Sequence, residues 1–150
     1  MKPDTQRGSI AGPAGAIETA TDLPAGEARG TAVLCHPHPQ FGGTMDNKVV
    51  QTLHKAFAEL GFATMRFNFR GVGASQGAFD DGIGETEDAA AALVWARAQV
   101  GESVPLVAAG FSFGCFVQTR LLPRSMPKML VLIAPAVSRF AIPEVAKDTI

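Results

Sequence analysis

Apolar residues in this chain come in short unbroken runs separated by longer stretches where they recur every three or four positions. The run Thr31-Ala32-Val33-Leu34-Cys35-His36 is of the kind that fills both faces of a buried parallel strand. In 46–60 the apolar positions Val49, Val50, Leu53, Ala56, Phe57 and Leu60 fall on one helical face, and Gly61 marks the stop. Residues 62–69 predict a second strand, ended by Gly71-Val72-Gly73. Residues 85–100 predict a helix, opened by Glu85, Glu87 and Asp88 where the helix dipole favours negative charge. A third strand at 104–109 leads into a helix reaching about Leu122, which Pro123 is expected to end. Residues 129–134 predict a fourth buried strand. Ahead of these, 1–9 reads as a flexible start, 11–21 as a turn followed by a short alternating strand, and 23–30 as a loop rich in Pro, Gly and Ala.

Strand and helix therefore alternate through the chain. That order predicts an α/β fold with a mostly parallel sheet, and it places ligand chemistry at the C-terminal ends of the strands. The 150 residues suit one domain with a real core, and 47% hydrophobic against 18% charged residues excludes a disordered chain. A net charge of -1 with scattered basic residues gives nucleic acid or an acidic membrane no electrostatic footing. Cys35 and Cys115 show no C-x-x-C spacing and read as core thiols of a reducing compartment. The polar N-terminus lacks a signal core, and the longest apolar stretch, 129–137, is too short to span a bilayer. A cytoplasmic protein is expected.

Candidate chemistry centres on Gly110-Phe111-Ser112-Phe113-Gly114, a G-x-S-x-G pattern directly after the third strand. Small residues around a serine between strand and helix suit a sharp turn that presents the hydroxyl at the strand's end. Ser112 is the candidate nucleophile, and the amide of Phe113 a candidate oxyanion donor. The loop His36-Pro37-His38-Pro39-Gln40-Phe41-Gly42-Gly43 follows the first buried strand and is placed to supply the second donor. Prolines 37 and 39 have no N–H, which singles out the His38 amide rather than its ring. His36 and His38 share a strand face, but no third ligand accompanies them, so no metal is expected. Their imidazoles either shape the loop by hydrogen bonding or act directly. The glycines of Arg66 to Gly77 do not match a dinucleotide fingerprint. Arg70 there reads as a tie between loops, with a substrate carboxylate as the alternative. Phe79-Asp80-Asp81-Gly82 reads as a turn, and His54 as an ordinary helix-face residue.

Cys35-His36-Pro37-His38-Pro39, Gly42-Gly43-Thr44-Met45, Arg66-Phe67-Asn68-Phe69-Arg70-Gly71-Val72-Gly73 and Gly110-Phe111-Ser112-Phe113-Gly114, in this order, resemble a family of small bacterial α/β-hydrolases. These are lidless, dienelactone-hydrolase-like proteins. The resemblance implies an α/β-hydrolase fold with helices on both faces, no cofactor, and a Ser–His–Asp triad acting on a small ester or related acyl substrate. Ser112 falls on the nucleophile, and His38 and Phe113 on the oxyanion amides. It also implies a chain truncated at its C-terminus, since 147–150 falls where a further strand begins. The acid and the histidine base are then expected beyond residue 150, and Asp148 does not replace them. Two other readings stay open: a local imidazole assisting Ser112, or a non-catalytic binding or scaffold member of the fold. A sheet ending at 129–134 would expose an edge, so either poor solubility or pairing into a homodimer through it is expected.

Overall fold

The computed structural model describes residues 4–135. Its six strands are β1 (Gln6–Gly12), β2 (Gly15–Asp22), β3 (Thr31–Cys35), β4 (Ala63–Phe67), β5 (Leu106–Phe111) and β6 (Met129–Ile133). Three helices connect them: α1 (Lys48–Glu59), α2 (Ile83–Val100) and α3 (Phe113–Ser125). The sheet order is β1-β2-β4-β3-β5-β6. Strands β4, β3, β5 and β6 run parallel, while β1 and β2 form an antiparallel hairpin laid against β4. This is the mixed six-stranded sheet of an α/β-hydrolase. Among the described residues no helix is long and apolar enough to cross a membrane. The further strand expected to begin about 147–150, and Asp148 ahead of it, lie outside the described residues.

Burial follows the alternation that a strand imposes on its side chains. Val33 and Cys35 of β3 face a core shared with Met65, Phe67, Ala89, Ala92, Leu93 and Val117, under α2 and α3. Leu34 between them points the other way, to Val50 of α1 and Ala109 of β5, with Leu53 and Phe57 packed alongside. The alanines of α2 let that helix lie close on the sheet. Gln118 is buried in α3, and its amide donates to the carbonyls of Val33 and Ala109, each at 2.9 Å.

Several boundaries differ from the sequence reading. Residues 6–9 are not a flexible start but the first half of β1, registered against β2 from Gln6↔Thr21 onward. Only Ile10 of that strand enters the core, so no apolar alternation marks it. Helix α3 passes through Pro123 and ends at Met126, whose positive φ of 46° terminates it. A proline in the last turn removes one hydrogen bond, to the carbonyl four residues back, and leaves the earlier turns intact. Helix α2 starts two residues early because the buried Glu85 carboxylate accepts from the amides of Gly82 and Asp80. Helix α1 starts at Lys48, with Asn47 accepting from Val49 and Val50. Asp46, expected inside that helix, instead pairs with Arg7 at 2.7 Å.

Beyond β4 the backbone is fixed amide by amide. Asn68 N–H donates to the Glu18 carbonyl at 2.9 Å, Phe69 N–H to His36 Nε2 at 3.1 Å, and Arg70 N–H to Asp88 Oδ2 at 2.9 Å. The Asn68 side chain adds two ties, accepting from Met45 N–H at 2.8 Å and donating to Glu18 Oε2 at 3.1 Å. Arg70 grips Asp88 through Nε at 3.1 Å and Nη2 at 2.9 Å. Because Asp88 is almost wholly buried and Arg70 nearly so, removing one partner strands the other's charge in the interior. Asp88→Ala is expected to cost about 3–5 kcal/mol. Urea denaturation should show this as a lower midpoint, with much of the loss recovered in the apolar pair Arg70→Met, Asp88→Leu.

Candidate active site

Ser112 sits between β5 and α3 with φ 55° and ψ -113°. A side chain in that region of backbone space costs roughly 1–3 kcal/mol and persists only where the surroundings impose it. Here they do. A Cβ on Gly114 would come within 2.1 Å of the Cys35 carbonyl oxygen, and one on Gly110 within 2.5 Å of Gly114's backbone. The two glycines of the motif are thus the points where α3 closes onto β3 and onto its own leading strand. The Ser112 amide donates to the Ile133 carbonyl at 2.9 Å, and Cys115 N–H to the Ser112 carbonyl at 3.0 Å. Cys115 Sγ lies 3.2 Å from the Gly110 carbonyl and 3.3 Å from that of Ile133. Burial pushes the Cys115 thiol up to about 11 and raises Cys35 as well. Both stay protonated at neutral pH and neither competes as a nucleophile.

The pairing of Cys35 with Gly110 across β3 and β5 sets the His36–Gly43 loop beside this turn. His38 caps a single 3-10 turn, Pro39–Phe41, its Nδ1 accepting from Gln40 N–H at 3.1 Å. Its carbonyl accepts from Phe41 N–H and Gly43 N–H. Its ring packs 4.6 Å from Phe41, 4.9 Å from Phe79 and 4.9 Å from Phe113. His38 and Phe113 are therefore neighbours, and Phe113, as the first residue of α3, has its amide at the positive end of the helix dipole. The apolar wall beside them was not read from the sequence. Phe41 is 67% exposed next to the turn, and Phe79 and Phe113 stand 6.0 Å apart behind it. Ten phenylalanines and no tyrosine in the chain were the available signal.

His36 is fully buried. Phe69 N–H donates to its Nε2, so the ring proton is on Nδ1, which donates to the Pro37 carbonyl at 2.6 Å. Burial lowers its pKa to about 4, against a smaller upward pull from the Pro37 bond. With both nitrogens committed to backbone, this imidazole has no lone pair for Ser112. Arg70 directs its guanidinium at Asp88 on α2, and its backbone amide goes to the same carboxylate.

A parallel core flanked by an antiparallel hairpin, with a serine raised on a strained turn beside the central strand, defines the α/β-hydrolase class. The model of the X-Pro dipeptidyl-peptidase (S15) family matches residues 17–144, and the chain belongs to this family of α/β serine hydrolases. A lidless α/β serine hydrolase from Xanthomonas campestris superposes with TM-score 0.88 at 40% identity, over 95% of this chain and 66% of that one. An α/β serine hydrolase homologue from Coxiella burnetii gives 0.82 at 45% identity, over 88% and 64%. An uncharacterized Rickettsia prowazekii protein is 41% identical over 113 residues, 75% of this chain and 48% of that relative. The chain thus spans about half the length of the curated relative it matches.

Two outcomes follow from the geometry. Glycine relieves the backbone strain at 112 and alanine does not, so Ser112→Gly should melt above Ser112→Ala, by the equivalent of about 1 kcal/mol. For His36, the folded pKa lies below the ~6.5 of an unfolded imidazole. Its contribution to stability is complete above that value and is lost as pH falls toward 4. The loss amounts to about 3 kcal/mol. Urea titrations at about pH 7 and pH 4.5 should show a steeper fall for the parent than for His36→Gln, which cannot titrate.

Proposed function

We propose that Ser112 is the nucleophile of a serine hydrolase that cleaves a small ester or related acyl substrate. The amides of His38 and Phe113 form its oxyanion hole. The observation that carries this reading is the positive φ of Ser112 on the β5–α3 turn, a strain held in place by backbone contacts at Gly110 and Gly114. In the reaction, Ser112 Oγ gives its proton to a base and bonds to the acyl carbon. The carbonyl electron pair moves onto oxygen, where the two amides stabilise it. Collapse expels the leaving group, which takes the proton from the base, and water then repeats the sequence on the acyl-serine. The histidine base and its acid are assigned to a segment outside residues 1–150. The bonds made by His36 support that assignment, because they leave its ring no basic nitrogen. The exposed Phe41 and the partly buried Phe79 favour a substrate with an apolar acyl or leaving group.

Membership of the X-Pro dipeptidyl-peptidase (S15) family favours one second reading, in which the acyl group is that of an X-Pro dipeptide and the scissile bond an amide. The same serine and amides serve both. The third reading is a binding member of the fold without turnover. Fluorophosphonate labelling of the protein extended to the length of its relatives separates enzyme from binder. An adduct on Ser112 is expected, absent in Ser112→Ala, with turnover of short p-nitrophenyl esters falling at least about 10³-fold in that variant. No adduct on the folded, extended protein would sink the hydrolase reading. Faster turnover of X-Pro anilides than of esters would select the peptidase.

A further inference from the structure

A second cluster of chemistry-bearing side chains lies on the α1 side of the sheet, away from the turn that carries Ser112. Asp22 ends β2 and is registered against Thr64, near the start of β4. Arg66 stands further along β4, and His54 reaches the same place from α1. These three residues are 6%, 5% and 3% exposed, yet they form one wall of a cavity of about 340 Å³. Gln51, Thr52, Lys55, Ala58 and Glu59 along α1, with Thr5, complete it.

The polar atoms on that wall are incompletely used. Asp22 Oδ1, both ring nitrogens of His54 and Nε of Arg66 are buried with no hydrogen-bond partner among the described residues. His54 Nε2 lies 3.0 Å from Asp22 Oδ1, so these two atoms face each other, while His54 Nδ1 and Arg66 Nε have no such neighbour. Arg66 Nη2 reaches Asp46 Oδ1 only at 3.4 Å, and Asp46 is held more closely by Arg7 at 2.7 Å. Buried donors left in this condition are costly, and buried polar groups in folded proteins nearly always find partners. His54 Nδ1 and Arg66 Nε, left without a partner on two residues that line one cavity, point to a ligand.

We propose that this cavity is a second binding site, for a small anion presenting carboxylate or phosphate-type oxygens. An oxygen accepting Arg66 Nε–H would also meet a ring N–H of His54, whose other neighbour is Asp22. The Arg66 guanidinium opposes a cation in the same space. Among the described residues no group of three or more His, Cys, Asp or Glu is placed to hold a metal. The volume is at the lower end for ligand sites, which limits the occupant to a small molecule.

The charges facing His54 come from every side: Asp22 from β2, Arg66 from β4, Asp46 from the preceding loop, Arg7 from β1, and the loosely paired Lys55 and Glu59 on α1. Asp22 and Asp46 offset Arg66 and Arg7, so an added negative charge is compensated only when His54 takes up a proton. Burial lowers the His54 pKa, outweighing the upward pull of Asp22, and the empty site therefore holds the ring neutral. Anion binding then draws a proton onto His54 and strengthens as pH falls.

Sulfate and acetate keep their charge between about pH 6 and pH 8, and calorimetric titration with each, at constant ionic strength, tests the site. Saturable binding of at least one is expected, several-fold tighter at the lower pH. Sulfate alone would identify phosphate-type oxygens as the ligand chemistry, and acetate alone a carboxylate. Arg66→Gln should weaken binding about tenfold or more. Because Arg66 is buried and that variant could fold poorly, Ala58→Phe provides the second arm: it fills the cavity from α1 and leaves the cluster intact. Ser112→Ala should bind as the parent does, so failure of the hydrolase reading would leave this result untouched. The proposal is overturned if neither anion saturates, if Ala58→Phe binds as tightly as the parent, or if binding does not strengthen toward acid pH.

Discussion

The neutral, buried imidazole of His36 joins the ends of the two strands on which the site is built. It accepts the Phe69 amide just past β4 and donates to the Pro37 carbonyl just past β3. Its ring lies 4.6 Å from that of Phe69, which in turn packs edge-on to Phe113 at 5.6 Å. One side chain thus sets the spacing of the His36–Gly43 loop, the loop after β4 and the first residue of α3. The amides on either side of Phe69 are taken by Glu18 and Asp88, so β2 and α2 are tied into the same frame. A buried polar network of this kind stabilises only when each member is satisfied. Losing His36 would orphan the Phe69 amide and loosen three loops together.

The turn at Ser112 depends on that frame. Its strained backbone is a local cost that the sequence 110–114 could lower by relaxing. What prevents relaxation is distant in the chain: the Cys35 carbonyl against Gly114, the Ile133 carbonyl on the Ser112 amide, and Phe113 wedged among His38, Phe69 and Phe79. Stability is thus lowered at one residue and restored by packing around it, the trade expected where a side chain must be presented to a substrate. Hydrogen bonds from β6 to the turn show that this strand supports the site as well as extending the sheet.

How much of this was legible in the sequence depended on whether the signal was local. The parallel strands were, because β3, β4 and β5 are buried on both faces and are rich in apolar residues, with only Thr64 and Arg66 interrupting β4. The serine turn was, because its glycines and its position between strand and helix all lie within a few residues. Strand β1 was not: it is an exposed edge whose order comes from pairing with β2, and its composition carries no alternation. Asp88 shows a subtler failure. Its place at the start of α2 suggested a charge complementing the helix dipole, whereas its carboxylate accepts three bonds from Arg70, eighteen positions earlier. His54 read as a helix-face residue because nothing near it in sequence announces Asp22 and Arg66. Those partners arrive only when β2 and β4 pair beneath α1.

The bonds of His36 also explain why its imidazole cannot serve as a base. A general base needs an accessible lone pair and a pKa near the working pH. Here the lone pair is occupied by the Phe69 amide, and burial holds the pKa at about 4. Exposing the ring to water would raise that pKa, but exposure means withdrawing it from the Phe69 amide and from the space between the loops. The property that lets His36 organise the strand ends is therefore the one that bars it from proton transfer. An imidazole that serves as a base must instead stay solvated enough to titrate near neutrality, which the place of His36 in this frame does not allow.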